Sequence, residues 1–148
     1  MARVVGIDVG DRWLGIAVGD DQLRIATPRP EQQAKTPAAV IEAILGVVAA
    51  EQPVALIVGM PYTLRGEIGP QAEAVERVIV AVERRIAIPV HRIDERLTSR
   101  QAQQAPREST RRGGKPREPQ REDSIAAALI LQSWLDRLPP SPDSVSNG

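Results

Sequence analysis

The sequence contains no cysteine and no phenylalanine, and its aromatic share is only 2%. Without cysteine there can be no disulfide framework, no thiolate nucleophile and no cysteine-ligated zinc or iron–sulfur site, so any chemistry must come from oxygen and nitrogen groups. A core with so few rings has to be assembled from Val, Ile, Leu and Ala on regular elements, which suits an α/β layer structure in a chain that is 42% hydrophobic. No apolar stretch approaches the roughly 20 residues of a membrane span. Met1-Ala2-Arg3 leads directly into a strand-like run without a secretory pattern, so the expectation is a cytoplasmic protein with no membrane contact.

Charge of one sign is also lacking in excess: Lys and Arg balance Asp and Glu at 19 each. Net charge therefore says nothing for nucleic acid, but its distribution does. Arg92, Arg96, Arg100, Arg107, Arg111, Arg112, Lys115, Arg117 and Arg121 crowd into one third of the chain. Nearly all are arginine, whose planar fork grips phosphate bidentately. The competing reading of such a run is a solvated surface.

Along the chain, Arg3 to Gly10 and Trp13 to Gly19 are apolar, β-branched and glycine-punctuated, and they flank the polar pair Asp11-Arg12, which predicts a hairpin. Arg24 to Thr27 adds a third short strand, with Pro28 and Pro30 expected to end it. Thr36 followed by Pro37 is a helix start, and Val40, Ile41, Ile44, Leu45 and Val48 carry that helix to about Ala50. Val54 to Val58 reads as a strand buried on both faces. A loop, Gly59 to Gly69, comes next. Gln71 to Ile86 is the clearest amphipathic helix, and Pro89 to Ile93 a last short strand. Thr98 and Gln101 can form a capping box. Residues 106–121 hold proline, glycine and cations and predict a loop, whereas Ser124 to Leu138 is apolar nearly all round and predicts a buried helix. Length allows one domain, 1–138, with 139–148 a disordered tail by composition.

Three acidic positions stand out. Asp8 lies within an apolar strand, where a carboxylate is costly to bury unless it is hydrogen-bonded, paired or cation-bound; the bland alternative is a cap on the Gly10 turn. Asp94-Glu95 ends the last strand, at the edge where α/β sheets hold ligands, and alternation lets only one of the two share Asp8's face. Asp123 stands ahead of the buried helix. Either acid could instead be a simple helix-start charge. Together the three converge from separated points, and such a cluster repels itself unless divalent cations neutralise it. Hard carboxylate ligands with open positions favour Mg²⁺ or Mn²⁺, a pair of which can clamp an in-line attack on phosphate. The sole histidine, His91, sits in a short strand and reads as a packed residue rather than a base.

Four segments, GIDVGDRWLGIAVGD (Gly6 to Asp20), VGMPYTLRGEIG (Val58 to Gly69), DERLTSRQA (Asp94 to Ala102) and DSIAAALILQSWLD (Asp123 to Asp136), resemble in order and spacing the YqgF/RuvX family. The likeness covers nearly the whole chain apart from the tail. It implies a ribonuclease H-like fold, a five-stranded mixed sheet made of an antiparallel meander plus two parallel strands, flanked by helices. The family is described both as Holliday junction resolvases and as nucleases that mature the 5′ end of 16S ribosomal RNA. The resemblance places an acidic triad on Asp8, Glu95 and Asp123, and it implies a metal-dependent nuclease of pre-rRNA or branched DNA. The proline- and glycine-containing stretch before the last helix departs from the family's pattern.

Tyr62, Arg65, Arg100, Arg111, Arg112 and Lys115 are the residues expected to steer the phosphate backbone, and Arg96 to hold either a carboxylate or the scissile phosphate. A junction resolvase, which makes two symmetric cuts, would be a homodimer; an RNA processor could be a monomer. Two other readings compete. GIDVG followed by GIAVGD also resembles the phosphate loop of the actin and sugar-kinase superfamily, but those proteins enclose nucleotide between two domains. A non-catalytic nucleic-acid-binding or interaction module of the same fold would keep the architecture and show no response to Mn²⁺.

Overall fold

The computed structural model describes residues 2–96 and 119–139. Five strands, β1 (Arg3–Val9), β2 (Trp13–Asp20), β3 (Thr27–Gln33), β4 (Ala55–Met60) and β5 (Val90–Asp94), form one sheet in the order β3-β2-β1-β4-β5. The first three are an antiparallel meander; β4 pairs parallel with β1, and β5 parallel with β4. Helices α1 (Pro37–Glu51) and α2 (Pro70–Glu83) cover one face, and α3 (Pro119–Asp136) covers the other.

The local chemistry explains most boundaries. Helix α1 starts where the Thr36 hydroxyl accepts a hydrogen bond from the Ala39 N–H at 3.1 Å, with Pro37 needing no partner for a donor it lacks. Val40, Ile44 and Val47, at helical spacing, face the sheet. In α2 the buried stripe is Ala72, Val75, Val78, Ile79 and Val82. The helix ends at Glu83, short of the expected Ile86, which still packs on the same core. Arg92 of β5 ties that strand to α2, donating to Glu76 at 2.8 Å and Glu83 at 3.2 Å. These hydrogen bonds hold its guanidinium protonated more firmly than usual.

Besides the shorter α2 and a β4 that runs on to Met60, two boundaries differ more widely from the sequence reading. The third strand does not end at Pro28 but begins at Thr27 and runs through both prolines to Gln33, while Arg24 turns the chain with φ +56°. β3 is the sheet's edge, so it needs ladder donors on one side only, and prolines are tolerated there. Its register slips opposite the Leu14–Ile16 step, and the Ile16 N–H donates to the Ser124 hydroxyl of α3 at 3.3 Å. The last helix already includes Pro119, the first described residue after 96, inside the stretch read as a loop. Asp123 is therefore inside α3 and not ahead of it. The capping pair Thr98 and Gln101, the rest of the 106–121 stretch and all but the first residue of the 139–148 tail lie outside the described residues.

Candidate active site

The sheet's two faces carry different side chains. Val5, Ile7, Leu14, Ile16, Leu56, Val58 and Met60 project toward α1 and α2. Toward α3 project Val4, Ala17, Ala55 and Ile57, with Gly6 and Gly59 between them. Glycine is required at both. A Cβ on Gly6 would stand 2.7 Å from the Leu131 Cβ and 2.9 Å from the Ala127 carbonyl oxygen, and one on Gly59 would collide with Ile130. The small residues let α3 settle close to the strands.

Asp8 follows Gly6 by two residues, so it shares the α3 face, and it is 9% exposed. Its strand partner in β2 is Gly15. In β4 the register Ile7↔Val58 brings Gly59 alongside Asp8. Beyond Gly59, the chain leaves β5 and the Glu95 N–H donates to the Met60 carbonyl at 3.1 Å. The Glu95 Oε1 lies 3.5 Å from where a Gly59 Cβ would be. Asp8 and Glu95 thus rise from strands on either side of β4, about 10 Å apart in the backbone, with Gly59 between them, over which Ile130 and the Glu95 carboxylate come together.

α3 runs antiparallel to β1. Leu135 lies 3.1 Å from the Cβ position of Gly19 near one end of the sheet, Leu131 lies over Gly6, and Ser124 meets Ile16 near the Asp8 end. The backbone of Asp123 is consequently brought to the end of the sheet that carries Asp8 and Glu95; its side chain lies outside what is described. Among the described residues, no three carboxylates or imidazoles form a group that could hold a metal ion. Carboxylate oxygens are the donors that hard divalent cations prefer over softer metals, and Asp8 and Glu95 are the carboxylates available here.

The neighbouring Asp94 points to the opposite face, as alternation requires. Its carboxylate is gripped by Arg96, with Nε–Oδ1 3.0 Å and Nη2–Oδ2 2.6 Å, and it also accepts from the Arg96 backbone N–H at 2.9 Å. The guanidinium holds the Asp94 carboxyl below its usual range. Arg96 thus holds a carboxylate, one of the two roles expected for it. Its Nη1 also donates to the Leu64 carbonyl at 3.1 Å, linking the end of β5 to the Gly59–Gly69 loop.

Tyr62, expected at the phosphate backbone, is half-buried and packs on the core beneath α1 and α2. Arg65 is exposed at the loop's tip. Arg100, Arg111, Arg112 and Lys115 lie outside the described residues. His91 stacks obliquely on Trp134 with ring centroids 5.3 Å apart, which fits a packed residue. The sequence reading missed Gly6, Gly59 and Ser124. A glycine inside a strand was the available signal, since it marks close approach of another backbone.

Comparison with known proteins agrees with this architecture. A family model described as "RuvX: Holliday junction resolvase" matches residues 2–137. A Chloroflexus aggregans protein bearing the name of a pre-16S rRNA nuclease is 40% identical over 134 residues, covering 90% of this chain and 92% of that one. A namesake from Chloroflexus aurantiacus is 38% identical over 141 residues, covering 95% and 90%. Among solved structures, Thermus thermophilus RuvC in complex with a Holliday junction substrate superposes with a TM-score of 0.59 at 20% identity, covering 91% of this chain and 94% of that one. The fowlpox virus Holliday junction resolvase gives 0.54 at 11% identity, covering 92% and 99%. The fold is ribonuclease H-like, as these neighbours share it. With a family match spanning almost the whole chain and relatives this close along their full length, the protein belongs to the RuvX family.

Proposed function

We propose that this chain is a nuclease that hydrolyses phosphodiester bonds in structured nucleic acid, using Asp8, Glu95 and Asp123 to hold Mg²⁺ or Mn²⁺. The observation that carries this reading is the pairing of Asp8 and Glu95 on one sheet face across Gly59. Family membership and the names of the relatives support the same chemistry. When bound, the cations supply a nucleophile at neutral pH and neutralise charge on the reacting phosphate.

The chain's own groups have separate tasks. Asp8, nearly out of water, is held in a rigid strand and offers oxygens whose position does not have to be organised on binding. Glu95 is set by its backbone hydrogen bond to β4, so its carboxylate returns over Gly59. Asp123 contributes the third carboxylate from α3. Arg65 in the loop, with Tyr62, Arg96, Arg100, Arg111, Arg112 and Lys115, borders the path of the backbone and attracts phosphate in a salt-dependent way. We place the enzyme in the cytoplasm, acting on precursor 16S RNA or on branched DNA, as a monomer on the first and as a homodimer on the second.

The deciding experiment is cleavage of labelled four-way DNA junctions and of a precursor 16S RNA fragment, side by side, with Mg²⁺, Mn²⁺ or chelator, by wild type and Asp8→Asn. Metal-dependent cutting that disappears in the variant supports the reading and names the substrate. Failure of folded wild-type protein to cut either, under every metal, overturns it and leaves a non-catalytic binding module of the same fold.

A further inference from the structure

The Gly59–Gly69 loop that borders the acidic pair is internally locked. The Thr63 N–H donates to the Glu67 carbonyl at 2.9 Å, the Gly66 N–H to the Thr63 carbonyl at 2.8 Å, and the Glu67 N–H to the Thr63 hydroxyl at 3.1 Å. Gly66 takes φ +80°, a conformation that glycine adopts without strain. A Cβ there would lie 3.1 Å from Arg96 Nη2, so the absence of a side chain also lets the guanidinium lie against the turn. Arg96, itself clamped on Asp94, reaches the Leu64 carbonyl from below. At the tip this lock displays an apolar side chain: Leu64 is 97% exposed, and Ile68 in the same loop 60%.

We propose that this loop is a preset wedge, latched to β5 by the Asp94–Arg96 pair, which presses Leu64 against the nucleic-acid bases flanking the scissile phosphate. Its position follows from covalent proximity. Arg96 follows Glu95 directly, so one arginine side chain spans from the acidic pair to the Leu64 carbonyl. A phosphodiester seated at Asp8 and Glu95 brings its adjoining bases to whatever borders those acids. Leucine has no atom that can bind phosphate, whereas apolar side chains pressed between base steps unstack and kink nucleic acid. Arg65, its chain neighbour, is suited to the backbone that Leu64 cannot hold. Because the turn is already hydrogen-bonded, inserting its tip does not have to order a loop.

The inference rests on the nuclease reading, and its test separates the two. Both substrates, the four-way junction and the precursor RNA fragment, carry 2-aminopurine next to the cleavage position mapped with wild type. Asp8→Asn protein should bind and brighten the probe by unstacking it. In the Asp8→Asn background, Leu64→Ala should abolish the brightening and weaken binding about tenfold, and Leu64→Met should restore both. Arg96→Lys, which keeps the charge but loses the fork that latches the loop, should reduce the brightening. Normal brightening and affinity in the Leu64→Ala protein overturn the wedge alone. Sedimentation showing that Leu64→Ala dissociates a dimer also overturns it, assigning the tip to contact between copies. Folded Asp8→Asn protein that binds neither substrate overturns the wedge and the nuclease reading together.

Discussion

The two faces of the sheet solve different problems with the same strands. Against α1 and α2 the strands present branched and long side chains, with Ile7, Leu14, Leu56 and Met60 essentially out of water. Each such side chain contributes about 1.5–3 kcal/mol by burial. Against α3 the strands present glycine and alanine beside Val4, Ile57 and Ile93, and much of the bulk is supplied by the helix, from Ile130, Leu131 and Leu135. The first face maximises apolar burial. The second gives up strand-side volume so that a helix can come close and two carboxylates can share the space at its end. Stability and chemistry are thereby assigned to opposite sides of one sheet.

Substitutions that strike one face alone should sharpen this division. The largest effect is expected from Asp8→Asn, which should lower the cleavage rate by about a thousandfold or more while denaturant titration shows no loss of stability. Leu56→Ala on the opposite face should do the reverse: unfolding should become easier by about 2–5 kcal/mol, with the cleavage rate of the remaining folded protein unchanged. Gly6→Ala tests whether the close approach of α3 is obligatory. Its added methyl has backbone on one side, so we expect about 1–3 kcal/mol of destabilisation, and a near-neutral midpoint would show that the helix can give way. Thr36→Ala, which removes only the α1 cap, should cost about 1 kcal/mol and leave catalysis alone.

The smallest effect is a pH effect. Asp94 has its carboxyl depressed by Arg96 in the folded state, so the pair adds stability above the unfolded value of roughly 3.9, and this is lost as pH falls through the lower folded value. Asp94→Asn should remove that acid limb from a stability profile recorded below neutral pH. A profile unchanged by the substitution would show that the pair does nothing for folding.

Much of this was legible in the residues. Thr36-Pro37 announces α1, the stripe from Ala72 to Val82 announces α2, and the period of two assigns Asp94 and Glu95 to opposite faces before any coordinates are known. The third strand was misplaced because proline is a general strand breaker, and only a position at the edge of the sheet suspends that rule. The helical run Pro119 to Asp123 was read as lying ahead of the helix because it follows a run of loop-forming residues and carries a proline and charged side chains where an apolar stripe would announce a helix. The role of Gly6 and Gly59 was hidden for a different reason. A glycine in a strand reports that space is taken, but Ile130 and Leu131, which take it, lie more than sixty positions away from Gly59 in the chain. Arg96 was left with two acceptors because both are anions, and only geometry shows that the Asp94 carboxylate lies within its reach.

The hydrogen bond from the Ile16 amide to the Ser124 hydroxyl joins residues separated by 108 positions. During synthesis β1 and β2 leave the ribosome well before the helix that covers their second face. Until that helix docks, Gly6 and Gly59 border an open furrow, and Asp8 stands in water without the wall that encloses it. The space around Asp8 is therefore enclosed only after α3 has been made, so the order of synthesis sets the order in which the candidate site is built.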